Sequence, residues 1–421
     1  MKKILYIILK VLARLVLKKY QPKIVAITGS VGKTSAKEAV YSVIKSKYRA
    51  RRNIKNYNNE IGLPLTVLRI RKSGGNNLFR WLWIFLYIFK ILIIRDKEYP
   101  EILVLEMGAD KRGDIKYLTS IAKPNIAVLT AIGHSHIEFF GSIENIVKEK
   151  TSILGDLKND DWAIINRDDK NLAGAIKNCK TKLKTFGQSE DAEVRISNIK
   201  ISKKNDEYGT SFKLSYGGSE VPMFLPSVLG WQHAQAAATA AAVALALGRN
   251  LVEIGEALQN YRTARGRTNL ILGVKNSFII DDTYNSSPQS SKAALEILAE
   301  MPSDGRKIAV FGDMLELGKV SDAAHRAVGK KLVELGIEYL FVVGERSRDI
   351  ARGAKEAGMS DDKIYHFPYT MEAGVFLQER LKQGDVVLIK GSRGSKMEQV
   401  VYEIMAKPWL AEDLLVGLVS K

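Results

Sequence analysis

Short apolar runs of strand length alternate with longer amphipathic stretches over the first part of the chain. The strand pattern recurs at residues 23–28, 102–106, 126–130 and 162–166. Helical spacing of the apolar residues follows at 34–47 and again at 143–157. Continuous apolar strands separated by helices are typical of a parallel sheet that helices cover on both faces.

The pattern changes at residues 194–224, where strand-like runs and glycines replace the helical period and predict a small antiparallel excursion. Helices are predicted at 234–247 and 251–259. After 261–267 the alternation resumes, with strands at 278–282, 308–311, 339–343 and 386–389 and helices at 290–299, 323–335, 372–381 and 397–405. The sequence therefore predicts a second α/β domain from residue 263 onward.

Two segments are more apolar than the rest, and the first covers residues 3–20. Its charges Lys3, Lys10, Arg14 and Lys18 recur at helical spacing, so they share one stripe of a helix. These charges interrupt the apolar run, which argues against a signal peptide. Two interpretations stay open: a basic amphipathic helix that lies on a membrane surface, and a helix that docks on its own domain.

The second apolar segment, residues 79–94, has sixteen residues with Arg80 and Lys90 among them. At 1.5 Å per residue such a helix reaches about 24 Å, which is short of a bilayer core of about 30 Å. Its aromatic cluster of Trp81, Trp83 and Phe85 suits a membrane interface. The alternatives are a transmembrane span and a buried helix that packs against the first segment.

The charge of the chain gives information about its partners, because the 421 residues have a net charge of +18. Fifteen Lys and Arg residues and a single acid, Glu38, lie within residues 1–55. Such a bias indicates an anionic partner. No nucleic-acid-binding motif is present in the sequence, so we favour lipid or phosphate over nucleic acid. The single cysteine, Cys179, excludes an intrachain disulfide and fits a reducing, cytoplasmic location.

A glycine-rich loop joins the first strand to the helix at 34–47. It reads Thr28-Gly29-Ser30-Val31-Gly32-Lys33-Thr34-Ser35, with Ile27 where the longer common pattern has a glycine. Glycines let backbone N–H groups approach phosphate oxygens, and a helix N-terminus adds positive potential. Lys33 would neutralise the β- and γ-phosphates, and Thr34 would offer a hydroxyl to Mg²⁺. Residues 29–35 are therefore predicted to bind ATP, with a plain glycine turn as the alternative.

Polar residues at the same edge of the predicted sheet suggest a metal site. Glu106 ends a buried strand, and His134 and His136 follow the next one. The carboxyl ends of parallel strands meet at one edge, where α/β proteins bind ligands, and Mg²⁺ prefers oxygen ligands. A helix-capping role for Glu106 and structural or solvated roles for the histidines remain open.

Ten short motifs, in one order along the chain, resemble those of the Mur ligase family. They are TGSVGKTS (28–35), NYNNEIGLPLT (56–66), LEMGA (105–109), GHSHIEFFGS (133–142), EKTSIL (149–154), INRDD (165–169), GR (266–267), DDTYNSSP (281–288), GDMLELG (312–318) with His325, and KGSRGSKME (390–398). The resemblance implies an α/β fold with three parts. These are a basic N-terminal helix (1–21), a central P-loop ATPase domain with a parallel sheet (22–262), and a C-terminal Rossmann-like α/β domain (263–421).

The resemblance also implies a chemistry, namely ATP-driven amide synthesis with two Mg²⁺ ions. The substrate carboxylate attacks the γ-phosphate and becomes an acyl phosphate, and an amine then displaces phosphate. In this family pattern Lys33 and Thr34 hold phosphate and metal, while Glu106 and His136 hold metal. Lys150 matches a lysine that becomes carbamylated, which would make it a ligand of the second Mg²⁺. From the residues alone, Lys150 would be a solvated helix lysine.

Further roles are implied for nucleotide and substrate binding. Arg267 resembles an arginine that reaches the phosphates, and the turn at 282–285 resembles a nucleoside-binding turn. The residues assigned to the nucleoside are Asp282, Tyr284 and Asn285, and those assigned to the substrates are Asn56, Asn58, Asn59, Lys390, Ser392 and Arg393. The last three lie in a Lys-Gly-Ser-Arg turn after a strand, which suits a carboxylate but could also be a solvated loop.

Several features depart from the family pattern. Only about twenty residues precede the central domain, where the family has a domain that binds uridine diphosphate. Ala131, Ser152, Ala234 and Ala237 replace polar residues of the family. The apolar segment at 78–94 is foreign to it. With the N-terminal helix, this segment is predicted to form a membrane-facing patch, giving a peripheral contact through residues 1–20 and 78–95 at the inner face of the membrane.

The function that the sequence favours is a ligase that joins D-Ala-D-Ala to UDP-MurNAc-tripeptide in peptidoglycan precursor synthesis. NYNNEIG and DDTYNSSP are the motifs that point to this member of the family. One alternative is a family ligase that acts on another carboxylate, such as a lipid-linked one. Another is a non-catalytic, membrane-associated ATP-binding protein. Five retained residues argue against it: Lys33, Glu106, His136, Lys150 and Arg267.

Overall fold

The computed structural model describes residues 2–54, 57–71, 73–75, 77–133 and 137–417. The chain divides into two compact units. The first comprises residues 1–199, 211–225 and 232–262, and the second comprises 200–210, 226–231 and 263–421. The domain bounds stated above stay a prediction.

The helices are α1 (Lys2–Tyr20), α2 (Lys33–Ile44), α3 (Gly62–Val67), α4 (Leu78–Ile93), α5 (Asp114–Ile121), α6 (Ile137–Phe140), α7 (Ile143–Thr151), α8 (Ala173–Lys177), α9 (Trp231–Ala246), α10 (Leu251–Leu258), α11 (Pro288–Glu300), α12 (Ser321–Glu334), α13 (Arg348–Glu356), α14 (Thr370–Arg380), α15 (Glu398–Ile404) and α16 (Ala411–Leu414). The strands are β1 (Lys23–Thr28), β2 (Ala50–Arg52), β3 (Ile102–Glu106), β4 (Ile126–Leu129), β5 (Trp162–Asn166), β6 (Lys182–Gly187), β7 (Val194–Lys204), β8 (Glu207–Tyr216), β9 (Ser219–Pro226), β10 (Asn269–Leu272), β11 (Phe278–Asp282), β12 (Lys307–Gly312), β13 (Tyr339–Val343), β14 (Ile364–Phe367) and β15 (Val386–Lys390).

One sheet carries the predicted phosphate loop, and its strands follow the order β2-β3-β1-β4-β5-β6-β7-β8-β9. The pairs from β2 through β6 are parallel. The carboxyl ends of β1 and β3 therefore lie side by side, with Ile27 in register with Glu106. This confirms the parallel sheet and places Glu106 beside the start of the loop.

Residues 194–224 form the predicted excursion, as strands β7, β8 and β9 at one edge of this sheet. Two-residue turns join them, and all four turn residues have positive φ: Asn205, Asp206, Gly217 and Gly218. This is the geometry of tight hairpins between antiparallel strands.

One predicted helix is wrong in its second half. The stretch 143–157 was expected to be a single helix, but α7 ends at Thr151 and a 3₁₀ segment covers Ser152–Asp156. Hydroxyls compete for backbone carbonyls there, since Ser152 Oγ donates to Glu149 O at 2.6 Å and Thr151 Oγ1 donates to Val147 O at 2.7 Å. Such bonds weaken the regular helical ladder.

Both apolar segments are helices that pack on the core of the first unit. Leu9, Leu12, Ala13 and Val16 of α1 and Ile84, Ile88 and Ile91 of α4 belong to its buried cluster. The docked-helix interpretation is therefore confirmed for one face of each helix. No helix among the described residues is both long and apolar enough to cross a membrane.

The second unit has its own sheet, with strands in the order β10-β11-β15-β12-β13-β14. All neighbours from β11 to β14 are parallel, and only β10 runs antiparallel. Buried clusters lie on both faces of this sheet. The predicted C-terminal α/β fold is thereby confirmed.

Candidate active site

The loop between β1 and α2 needs glycine at two positions. Gly29 has φ +148° and Gly32 has φ +85°, both in the region that favours glycine. A Cβ atom at Gly29 would lie 2.1 Å from Thr130 Oγ1. The loop therefore presses against the end of β4, and only glycine fits there.

Backbone hydrogen bonds give the loop its shape. Ser30 N and Val31 N donate to Ala131 O at 2.6 and 3.3 Å, and Thr130 Oγ1 donates to Val31 O at 2.7 Å. Lys33 Nζ donates to Gly29 O at 2.8 Å and to Ser30 O at 3.1 Å, so the lysine curls over its own loop. Ala131, which departs from the family pattern, contributes through its carbonyl group.

The loop has the features of an anion site. Within the described ranges, no side chain caps the N-terminus of the twelve-residue helix α2 at Gly32, so its first N–H groups are oriented toward the loop. Ser30 Oγ is buried and has no hydrogen-bond partner among the residues that the structure describes. A phosphate oxygen would satisfy these donors, so these residues fit the triphosphate of ATP.

Glu106 lies at the same edge, with only 4% of its surface exposed. Its Oε2 accepts a hydrogen bond from Thr34 Oγ1 at 3.1 Å, and its Oε1 accepts one from Asn58 Nδ2 at 3.0 Å. The structure thus brings together three predicted residues: Thr34, Asn58 and Glu106. A hydroxyl and a carboxylate at this distance are a donor set that suits Mg²⁺.

Sequence reasoning missed Lys37 and Asn53, which position Glu106. Lys37 Nζ is buried, 3.5 Å from Glu106 Oε2 and 3.3 Å from Glu38 Oε1. Asn53 accepts from Glu106 N and donates to Glu106 O, both at 2.9 Å. One signal was present in the sequence, because Lys37 lies one helical turn after Lys33 and so on the same side of α2.

Lys150 is buried near the segment that follows Glu106. Its Nζ donates to Ala109 O at 3.3 Å, and the residue is 3% exposed. Burial, reinforced by the nearby Lys33 cation, lowers the pKa of Lys150 to about 8. The neighbouring Glu149 holds the same segment, because its carboxylate accepts from Gly113 N at 2.7 Å and from Ile115 N at 2.8 Å.

Other predicted residues of the first unit cannot be placed in this site. His134, His136 and Asn56 lie outside the described residues. Asn59 Oδ1 accepts from Gly62 N at 3.0 Å, so this side chain caps the turn that begins α3.

In the second unit, the predicted nucleotide-binding residues lie together. The Arg267 guanidinium stacks 4.3 Å from the centre of the Tyr284 ring. Within the described part of the chain, Arg267 Nε is buried without a hydrogen-bond partner. Lys390 Nζ lies 2.6 Å from Asp282 Oδ2 and donates to Asn285 O at 2.9 Å. Lys390 therefore connects the two ends of the 282–285 turn and stabilises its conformation.

The remaining predicted substrate residues are engaged inside the second unit. Ser392 Oγ accepts from Leu315 N at 2.8 Å, and Arg393 pairs with Glu398 at 2.8 Å. Beside them, burial raises the pKa of Asp281 to about 7. Its Oδ1 accepts from Thr283 Oγ1 at 2.7 Å.

Two family models match this chain. The Mur ligase middle domain matches residues 27–79 and 89–245, and the Mur ligase, glutamate ligase domain matches residues 266–393. The gap between the first two matched ranges falls within α4, in agreement with an insert at that place.

Similar proteins have been characterised by sequence and by structure. The UDP-N-acetylmuramoyl-tripeptide–D-alanyl-D-alanine ligase of Bacillus subtilis is 32% identical over 400 residues, which make up 95% of this chain and 79% of that protein. MurF from Acinetobacter baumannii superposes with a TM-score of 0.78 at 28% identity, covering 94% of this chain and 80% of the other. The MurF ligase of Thermotoga maritima in complex with ADP gives a TM-score of 0.76 at 29% identity, covering 94% and 83%.

Proposed function

The chain belongs to the Mur ligase family, and we propose that it uses ATP to join D-Ala-D-Ala to UDP-MurNAc-tripeptide. The observation that carries this proposal is the hydrogen bond from Thr34 to the buried Glu106, at the end of a phosphate loop that only glycine can form. The relatives named for this reaction match over nearly the whole chain, which supports the same substrates here.

The residues of the first unit can perform the first chemical step. Lys33 and the N-terminus of α2 bind the β- and γ-phosphates and offset their charge. The tripeptide carboxylate attacks the γ-phosphorus, and the bond from phosphorus to the β,γ-bridging oxygen breaks. The products of this step are ADP and an acyl phosphate. Mg²⁺ held by Thr34 and Glu106 would supply further positive charge at the transferring phosphoryl group.

The second step forms the amide bond. The amine of D-Ala-D-Ala attacks the acyl carbon, a tetrahedral intermediate forms, and the carbon–oxygen bond to phosphate breaks as the nitrogen loses a proton. Fixing the two reactants next to each other supplies much of the rate enhancement. We assign Arg267 and the turn of Asp282, Tyr284 and Asn285 to nucleotide binding.

Lys150 is proposed to be carbamylated and to ligate a second Mg²⁺ ion together with His136. Carbamate formation requires a neutral amine that attacks CO₂, and the lowered pKa of Lys150 increases the neutral fraction. The negative carbamate would also replace the repulsion between the Lys150 and Lys33 cations with an attraction. This change in charge supports the proposed modification.

Phosphate release tests the proposed function. With ATP, Mg²⁺ and UDP-MurNAc-tripeptide, release is expected to depend on added D-Ala-D-Ala, and mass spectrometry should show one pentapeptide product per phosphate. Release that needs the nucleotide sugar but ignores the dipeptide would defeat this substrate assignment and leave the ligase class. Absence of ATP turnover with any carboxylate would support the ATP-binding scaffold.

The predicted peripheral contact with the inner face of the membrane, through residues 1–20 and 78–95, also remains a proposal. It is supported by the exposed apolar residues of both helices. A lipid-linked carboxylate is the alternative substrate that such a contact would favour.

A further inference from the structure

Helices α1 and α4 are each apolar on two opposite faces. The buried face of α1 follows a helical stripe through Leu9, Leu12, Ala13 and Val16. The opposite side exposes another stripe: Ile4, Ile7, Ile8, Val11 and Leu15, each between 41 and 63% exposed. A helix that only had to pack on its own domain would carry polar residues on that side.

Helix α4 repeats the same arrangement with larger side chains. Its inner face is formed by Ile84, Ile88 and Ile91. Its outer face, with the adjoining Ile94, exposes seven large apolar side chains: Phe79, Leu82, Trp83, Leu86, Phe89, Ile93 and Ile94, each between 51 and 81% exposed. We call this face together with the exposed stripe of α1 the outer apolar face.

The two helices are fastened to each other, so their outer sides belong to one surface. Lys19 Nζ donates to Ile91 O at 3.0 Å and to Leu92 O at 2.8 Å, and Tyr20 OH donates to Ile91 O at 2.8 Å. The Tyr20 ring stacks on Tyr99 at 4.1 Å. Both helices pack on one buried cluster and on each other. Their exposed faces therefore lie next to each other and point away from that cluster.

The outer apolar face is too large for an ordinary monomer surface. It holds twelve of the twenty-four exposed large apolar side chains found in the described part of the chain. Together these twelve expose on the order of 1,000 Å² of apolar area, against a few hundred Å² for the largest patch of a typical monomer. A patch of this size marks a binding surface.

Charge identifies what covers this surface. α1 contains six Lys and Arg residues, α4 contains two, and neither helix contains an acidic residue. Arg14, Lys18 and Lys90 are exposed on the outer sides of the helices. In a symmetric dimer these cations would meet their own copies, which is unfavourable, whereas anionic lipid headgroups would neutralise them.

We propose that the outer apolar face lies in the surface of an anionic lipid bilayer, with both helices parallel to the membrane plane. Leu82, Trp83 and Phe89 enter the boundary between headgroups and acyl chains, and Lys90 extends its ammonium group to the phosphates. The inner faces of both helices stay packed on the protein core, so neither helix spans the bilayer. This deepens the predicted membrane contact, and it does not depend on ligase activity.

Vesicle co-sedimentation of the full chain tests the proposal without ATP or substrate. The protein is expected to bind vesicles of phosphatidylcholine with about 30% phosphatidylglycerol, and to bind pure phosphatidylcholine at least about tenfold more weakly. Raising the salt from 0.1 to 1 M shortens the screening length about threefold, and it should weaken but not abolish binding. Full-chain protein that stays in the supernatant with anionic vesicles would overturn the proposal.

Matched variants locate the contact. Trp83→Glu with Phe89→Glu should reduce binding more than tenfold, because two large apolar anchors become charged. Trp409→Glu with Tyr369→Glu is the control, since Trp409 is 74% exposed and Trp83 is 73% exposed. Arg14→Glu with Lys18→Glu should lower binding to anionic vesicles about tenfold or more, and Lys363→Glu with Lys382→Glu should not. Equal binding by the Trp83 pair and its control would refute the assignment to this face.

A measurement of mass in solution separates the competing occupant. Light scattering is expected to show no dimer that forms through the outer apolar face, that is, no dimer that the Trp83→Glu substitution would dissociate. If such a dimer forms and vesicle binding is absent, the face joins two copies and the lipid proposal is wrong. All variants keep the inner residues Ile84, Ile88 and Ile91, and thermal melting checks that they stay folded.

Discussion

Replacing Lys150 with arginine gives the sharpest test of the site, because arginine keeps the positive charge but cannot form a carbamate. Lys150 is buried and its pKa falls to about 8. At pH 7 a lysine with this pKa is about 9% neutral, whereas one with a pKa of 10.5 is about 0.03% neutral. The environment therefore raises the reactive form roughly 300-fold.

The expected result is a large loss of ligase activity in Lys150→Arg, on the order of 100-fold, since the proposed metal-binding carbamate would be replaced by a fixed cation. Lys148→Arg is the matched control, because Lys148 is exposed on the same helix. Phosphate release measures activity. NMR of protein prepared with ¹³C-bicarbonate should show a carbamate in the native chain and in Lys148→Arg, and none in Lys150→Arg.

The pH dependence has a defined direction when the concentration of dissolved CO₂ is held constant. Below pH 8 the neutral fraction of Lys150 falls about tenfold per pH unit. Recovery of activity after CO₂ depletion and return to a fixed partial pressure of CO₂ should therefore slow as the pH falls from 8 to 6. Full activity of Lys150→Arg, or a carbamate signal that survives this substitution, would refute the reasoning.

Three further predictions concern stability and metal use. Lys37→Met leaves the Glu106 carboxylate buried without its cation and should lower the free energy of unfolding by about 3 kcal/mol, while the exposed control Lys45→Met should change it by less than about 0.5 kcal/mol in urea titrations. Asp281→Asn should remove a pH dependence of the free energy of unfolding. Because the pKa of Asp281 is raised to about 7 in the fold, its protonated carboxyl stabilises the fold fully below about pH 4, and this contribution is lost as the pH rises to 7. Thr34→Val should lower activity about 10- to 100-fold and raise the Mg²⁺ requirement, and Thr34→Ser should restore both, because the hydroxyl bonded to Glu106 is regained.

Each of these has a clear contrary result. Equal urea midpoints for Lys37→Met and Lys45→Met would show that Lys37 does not compensate the buried carboxylate. Parallel plots of melting temperature against pH for the native chain and Asp281→Asn would remove Asp281 as the titrating group. An unaltered Mg²⁺ titration in Thr34→Val would exclude the hydroxyl from metal binding.

The periodic pattern of the sequence predicted the sheet, the loop and the position of Glu106. Strand and helix periods are local properties of the backbone, and parallel strands bring their carboxyl ends to one edge. Lys33, Thr34 and Glu106 could therefore be named from the chain alone. The boundaries of α7 could not, because Thr151 and Ser152 form side-chain bonds that compete with the helix.

Only the tertiary structure decided which polar groups meet. Lys37 and Asn53 contact Glu106, Lys390 contacts Asp282, and Lys150 contacts Ala109. In each of these pairs the two residues lie about forty to more than a hundred positions apart in the sequence. Such contacts depend on how elements pack, which no local period records. The same holds for the two apolar segments. Their sequences showed helices, and the packing of one face on the core decided which apolar residues were left to form an outer surface.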